Sequence, residues 1–132
     1  MKNLMLLLLL VIATRISAQS GTQRTYYPNG TVKEAKWVDE GRVFMLQYHE
    51  NGRIAQRGSF IQGRPDGLWK RYDASGKLLD KVRFTNGLRN GKCMYTNIDG
   101  STRYQMDYAQ GKLVHCEQLD VNGDMVAERD MR

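Results

Sequence analysis

The chain has 132 residues, with 20 Lys and Arg against 14 Asp and Glu and a net charge of +6. Once a leader is set aside, its length bounds it to a single ordinary domain. It carries no phosphate loop, nucleophile elbow or catalytic Cys–His pair, so enzymatic chemistry is not expected.

In chain order, Lys2 gives a weakly positive start and Leu4 to Ala13 is an unbroken apolar run. Ile16-Ser17-Ala18 then offers a small residue for cleavage. A run of that length suits a secretory signal better than a membrane span, which needs about 20 apolar residues. Arg15 between the run and the cleavage point is unusual, and an uncleaved anchor is the alternative. No cysteine follows the run, so no lipoprotein attachment site is present. The expectation is a signal peptide over 1–18, cleavage near Ala18, and a single domain over 19–132 exported to the periplasm or medium.

Without Lys2 and Arg15 the net charge is +4, and it is uneven. Residues 53–92 hold ten basic residues against Asp66, Asp73 and Asp80, whereas residues 93–132 hold four against seven acidic ones. A basic middle favours an acidic partner, such as an anionic lipid head group, an acidic polysaccharide or an acidic protein face. Keeping a sheet surface wet is the plainer use of the same charges. Nucleic acid is not expected as a partner.

Two glycine series run through the mature chain. Gly30, Gly52, Gly76, Gly100 and Gly123 are spaced by 22, 24, 24 and 23, and Gly41, Gly63, Gly87 and Gly111 by 22, 24 and 24. Each period is too short for two helices with loops and fits two strands with two turns. Asn29-Gly30, Asn51-Gly52, Ser75-Gly76, Asp99-Gly100 and Asn122-Gly123 read as tight hairpin turns, since Asn-Gly and Asp-Gly supply positive φ. The second series reads as longer connections, Gly63-Arg64-Pro65-Asp66-Gly67 and Gly87 to Gly91, where Pro65 is expected to block pairing. Between turns the pattern has period two, as in Phe44, Leu46 and Tyr48 or Leu78, Asp80, Val82 and Phe84. The expected fold is all-β: antiparallel hairpin repeats in an elongated, twisted meander of nine or ten strands. Neighbouring hairpins stack because none can bury its apolar face alone.

The best copy reads Gly67-Leu68-Trp69-Lys70-Arg71-Tyr72, then Gly76-Lys77-Leu78, Phe84-Thr85-Asn86-Gly87 and Asn90-Gly91. It resembles the bacterial MORN-repeat variant, and the resemblance covers about Tyr26 to Val126. Val43 and Cys93 stand where Trp69 has its counterparts, and the first copy lacks the Gly-x-x-x-Gly connection. The resemblance implies a binding or structural module. Some bacterial proteins of this type resemble antitoxins of toxin–antitoxin pairs, and eukaryotic relatives are linked to membrane junctions and protein assembly. It supplies no catalytic residue.

Tyr48, Phe60, Trp69, Tyr72, Phe84, Tyr95, Tyr104 and Tyr108 are expected to pack across strands. Trp69 and Tyr72 with Lys70, Arg71, Lys81 and Arg83 form the candidate binding surface, an aromatic stripe beside a basic belt. Cys93 and Cys116 fall on strands separated by the one carrying Tyr104, about 9 to 10 Å apart and beyond the reach of a disulfide, so both are expected to be unpaired. His49 and His115 lie in different repeats with no second ligand at metal spacing, so no metal is expected. Asp66, Asp73, Asp99 and Asp124 sit at turns, where their geometry is favoured, which leaves no paired carboxylates for catalysis. No cofactor is expected. The Glu128–Arg132 end is expected to blunt the last edge strand. The function read from sequence is a non-enzymatic exported scaffold that binds another envelope component, a protein or an anionic surface, through its sheet face. The alternative is an antitoxin-like protein that neutralises a protein partner.

Overall fold

The computed structural model describes residues 21–131, and the leader expected at 1–18 lies outside them. The described residues form eleven strands and no helix. The strands are β1 Gln23–Tyr26, β2 Val32–Asp39, β3 Arg42–Tyr48, β4 Ile54–Ile61, β5 Arg64–Tyr72, β6 Leu78–Thr85, β7 Leu88–Arg89, β8 Gly91–Thr96, β9 Arg103–Ala109, β10 Lys112–Leu119 and β11 Met125–Asp130. All join one antiparallel sheet in chain order, with the short β7 paired to β6 alone. The all-β meander expected from the two glycine series is therefore present. The strand count is higher than nine or ten because the chain breaks at Asn90, which splits β7 from β8.

The two turn types are reversed from the sequence expectation. Glu40-Gly41, Gln62-Gly63, Asn86-Gly87 and Gln110-Gly111 are the two-residue turns, each with positive φ at both positions, as at Glu40 (46°) and Gly41 (76°). Positive φ at both central residues is the type I′ geometry that matches strand twist. The series containing Asn-Gly makes longer turns in which only the glycine is left-handed. At Asp73 the amide of Gly76 donates to the Asp73 carbonyl (3.0 Å) and the Asp73 amide to the Lys77 carbonyl (2.9 Å). Asn29, Asn51, Asp73, Asp99 and Asp120 each accept a backbone amide two residues on, at 2.8 to 3.0 Å, so these side chains close the turn from inside.

Pro65 also corrects an expectation, for it lies within β5 opposite Phe60. Ile61 and Arg64 close the two-residue turn as a hydrogen-bonded pair, so the next pair, Phe60 and Pro65, exchanges no ladder bond. Toward β6 the ladder begins only at Gly67 and Phe84, so the missing N–H of proline leaves no orphan there. The Pro65 carbonyl still accepts the Gly87 amide at 3.1 Å, and the Arg89 carbonyl accepts the Gly111 amide at 2.7 Å. The turns at Gly87 and Gly111 thus dock on the strand start one repeat earlier.

Because paired residues share a face, the register divides the sheet cleanly. The first face carries Met45, Gly58, Trp69, Val82, Cys93, Met106 and Cys116 along one line across the strands. Met45, Val82 and Cys93 on this line are buried, and Ala35 and Leu119 are buried on the other face. The core is thin because a single sheet has no second layer to pack against.

Candidate functional site

The first face owes its central feature to a glycine. Gly67, with φ of 77°, sits in a register shift where β5 gains residues over β4 between the pairs Arg57–Lys70 and Ser59–Asp66. That bulge swings Trp69 over Gly58, where a side chain would collide with the indole. The indole Nε1 donates to the Ser59 carbonyl at 3.2 Å. Phe60 and Phe84 meet the ring edge-on, with centroids 4.9 and 6.2 Å away. These residues, with Pro65 and Val82, floor a groove of about 380 Å³. Its rim carries Arg71, whose guanidinium holds the Asp80 carboxylate at 2.6 Å. Farther along the same face Arg89 lies over the rings of Tyr95 (5.9 Å) and Tyr108 (5.6 Å). Burial pushes the Tyr95 phenol up to about 12.

The second face has an apolar stretch at Trp37, Phe44, Leu46 and Leu68, and its charges are segregated along the sheet. Arg57, Lys70 and Lys81 are directly opposed on β4, β5 and β6, so three cations occupy one rung, and Arg83 stands opposite Leu68 nearby. Among the described residues none of these four has a carboxylate within ion-pair distance. At the C-terminal end the same face turns acidic. Asp107 pairs with His115, which pairs with Asp130, and Glu117 pairs with Glu128. His115 Nδ1 lies 2.6 Å from Asp130 Oδ1, and its Nε2 lies 3.3 Å from Glu117 Oε1 and 3.5 Å from Glu128 Oε1. The bond to Asp130, then that to Glu117, raises the His115 pKa above its ordinary value. Beside this cluster Lys81, Lys92, Met94, Gln105 and Asp107 line a cavity of about 220 Å³ with His115 and Glu117.

The candidate surface expected from sequence is therefore divided. Trp69 and Arg71 face one way, and Lys70, Lys81 and Arg83 face the other. Tyr72 ends β5 past a further register shift, and its carbonyl accepts a hydrogen bond from His49 Nε2 at 2.9 Å. Of the aromatics, Phe60, Trp69 and Phe84 come together, while the stacked pair Trp37 and Phe44 (5.4 Å) on the second face was not anticipated. Their direct pairing follows from the Glu40-Gly41 turn, which sequence could have supplied.

The expectation that His115 lacks ligand-type neighbours does not hold, since Glu117 is two residues on and Glu128 lies across the hairpin. Period two makes Glu117 share the face of His115, but Glu128 needs the register. Both cysteines are free, each paired in register with Met106 from opposite sides, which leaves one strand between them as expected. Cys116 faces away from His115 because they are adjacent on β10.

Residues 19–36 and 65–86 match the family model described as the MORN repeat variant. No curated protein matches the chain. Two solved structures share a loose likeness: TarM, and a TarM mutant from S. aureus in complex with Fondaparinux, alpha-GlcNAc-glycerol and UDP, each at 13% identity and a TM-score of 0.40. The likeness covers 87% and 83% of this chain respectively, and the chain spans 20% of each of those structures.

Proposed function

We propose that this MORN-repeat protein is an exported, non-enzymatic scaffold that binds an anionic component of the cell envelope on the cationic rung of its second face. One observation carries the reading. Arg57, Lys70 and Lys81 are directly opposed on neighbouring strands with no carboxylate to neutralise them among the described residues. Like charges facing each other across strands are destabilising by about 0.2–1 kcal/mol per pair. A phosphate, sulfate or carboxylate laid across the rung removes that repulsion, so binding an anion and relieving the sheet are one event. Export rests on the apolar run from Leu4 to Ala13 and the small residues before Gln19.

The test is cosedimentation with vesicles containing an anionic phospholipid and, separately, binding to an acidic polysaccharide. Binding is expected to weaken steeply with salt, because exposed charges are screened over about 8–10 Å at physiological ionic strength. Changing Arg57, Lys70 and Lys81 to Gln together should abolish it. Binding that survives this change, or ignores salt, overturns the reading.

A second reading is favoured by the groove over Trp69, which is mostly apolar and open to solvent. A protein partner seated there, including one neutralised as in an antitoxin pair, would be lost on Trp69→Ala and would be insensitive to salt. The two surfaces lie on opposite faces, so the Trp69 change and the cation changes separate the readings.

A further inference from the structure

We propose that His115, Glu117 and Glu128 form a site for a divalent transition metal of zinc's ligand preference on the second face of the β10–β11 hairpin. Strand register places the three donors. His115 and Glu117 are alternate residues of β10, and Glu128 stands directly opposite Glu117 on β11. Their three ligand atoms all lie within 4.8 Å of one another.

The spacing suits a small tetrahedral ion. Zinc bonds to His nitrogen and carboxylate oxygen measure about 2.0–2.2 Å, which gives neighbouring ligand atoms a separation of about 3.3–3.6 Å in a tetrahedron. The His115 Nε2 distances to Glu117 Oε1 and Glu128 Oε1 are 3.3 and 3.5 Å. Two of the three edges are thus met as the side chains stand, and the third, between the two glutamates, is within 4.8 Å.

The imidazole is also oriented for the task. Asp130 holds Nδ1 at 2.6 Å, which directs Nε2 toward the two glutamates. A carboxylate on the far ring nitrogen is the usual outer partner of a metal-bound histidine, fixing its tautomer and raising its basicity.

The local charge points the same way. Asp107, Glu117, Glu128 and Asp130 surround one imidazole, and among the described residues only Asp107 has a lysine, Lys92 at 3.5 Å. Glu117 opposite Glu128 is a like-charge pair that costs stability without a cation between them. One nitrogen and two carboxylates suit zinc better than calcium or magnesium, which prefer all-oxygen shells. Three protein donors leave tetrahedral zinc one open position. The cavity with Lys81 and Lys92 at its wall lies alongside.

The experiment is isothermal titration of the purified full chain with zinc chloride, with magnesium chloride as a control, in a buffer that does not chelate. One equivalent of zinc should bind and raise the melting temperature, and magnesium should do neither. His115→Ala and the Glu117→Gln/Glu128→Gln pair should remove that binding, and Asp130→Asn should weaken it at least tenfold. Far-UV circular dichroism checks that each variant keeps its strands. The Glu117→Gln/Glu128→Gln pair is the decisive one, because it keeps the imidazole and its Asp130 partner yet should gain nothing from zinc. Zinc binding unaffected by these changes, or no zinc binding by the wild type, overturns the proposal and leaves an imidazolium–carboxylate cluster.

Discussion

Gly58→Ala tests the packing that organises the first face. An alanine Cβ there would lie 2.1 Å from Trp69 Cδ2 and 2.3 Å from Cε2. Ordinary carbon contacts fall at about 3.5–4.0 Å, so the indole must retreat by about 1.5 Å. Backbone relief is blocked because Gly58 is held between Met45 on β3 and the bulged β5. The displaced ring loses its edge contacts with Phe60 and Phe84, worth about 0.5–1.5 kcal/mol each, and its hydrogen bond to the Ser59 carbonyl, worth about 1 kcal/mol. Together these bring the expected loss to about 2–4 kcal/mol, a large share of the roughly 5–15 kcal/mol typical of a domain.

The assay is urea unfolding of a double-mutant cycle with Trp69→Ala. With the indole gone, alanine at 58 meets no ring and gains about 0.5–1 kcal/mol over glycine within a strand. The effect of Gly58→Ala should therefore change sign between the two backgrounds. Trp69 is one of only two tryptophans, so in a Trp37→Phe background its emission reports the displacement directly. Equal destabilisation in both backgrounds would refute the account and mean that Gly58 matters for its backbone alone.

Lys70→Glu sets an attractive charge between Arg57 and Lys81 and should stabilise the protein by about 0.5–1 kcal/mol, measured by urea melts, while binding to anionic vesicles falls. Glu40→Asn should stabilise by a few tenths to about 1 kcal/mol, since Glu40 holds φ of 46° in a two-residue turn where asparagine is favoured; an unchanged or lower midpoint counts against that turn. The Tyr95 oxygen is buried without a hydrogen-bond partner, so Tyr95→Phe should be neutral or stabilising at pH 7, by up to about 1 kcal/mol. Because the phenol's pKa is raised to about 12 from 10.0, its contribution is intact below pH 10 and lost as pH rises toward 12. The wild type should therefore lose stability over that window to an extent that the phenylalanine variant does not.

The repeat, the strand type and the turn positions were legible because glycine at regular spacing leaves a mark that no packing context can hide. Turn type was not, because Asn-Gly serves two purposes. At Asn29 the side chain accepts the Thr31 amide inside a longer turn, while Glu40 and Gln62 take the left-handed positions of the short ones. The division of the candidate surface was partly legible. Trp69 and Lys70 are neighbours in a strand and must face opposite ways, a consequence of period two that a count of charges along the chain conceals. The rung of Arg57, Lys70 and Lys81 was not, since it depends on how many residues the bulge at Gly67 adds to β5.

The same bulge explains where the repeat can acquire new chemistry. Gly67 and Gly91 stand four residues beyond the glycines of their two-residue turns, and both hold positive φ where the register shifts. The next copy places His115 at that position, four residues beyond Gly111 and 24 beyond Gly91. There the shift falls between Leu113 and His115, one residue earlier in effect, so position 115 no longer has to be left-handed and can carry a side chain. That side chain emerges on the second face between Asp107 and Asp130, where Gly67 and Gly91 of the two preceding copies offer nothing. A repeat fixes the backbone by keeping its glycines, so a copy that has dropped one is where a side chain can be added without disturbing the sheet. In this chain that position holds one of its two histidines, beside the densest group of carboxylates on the second face.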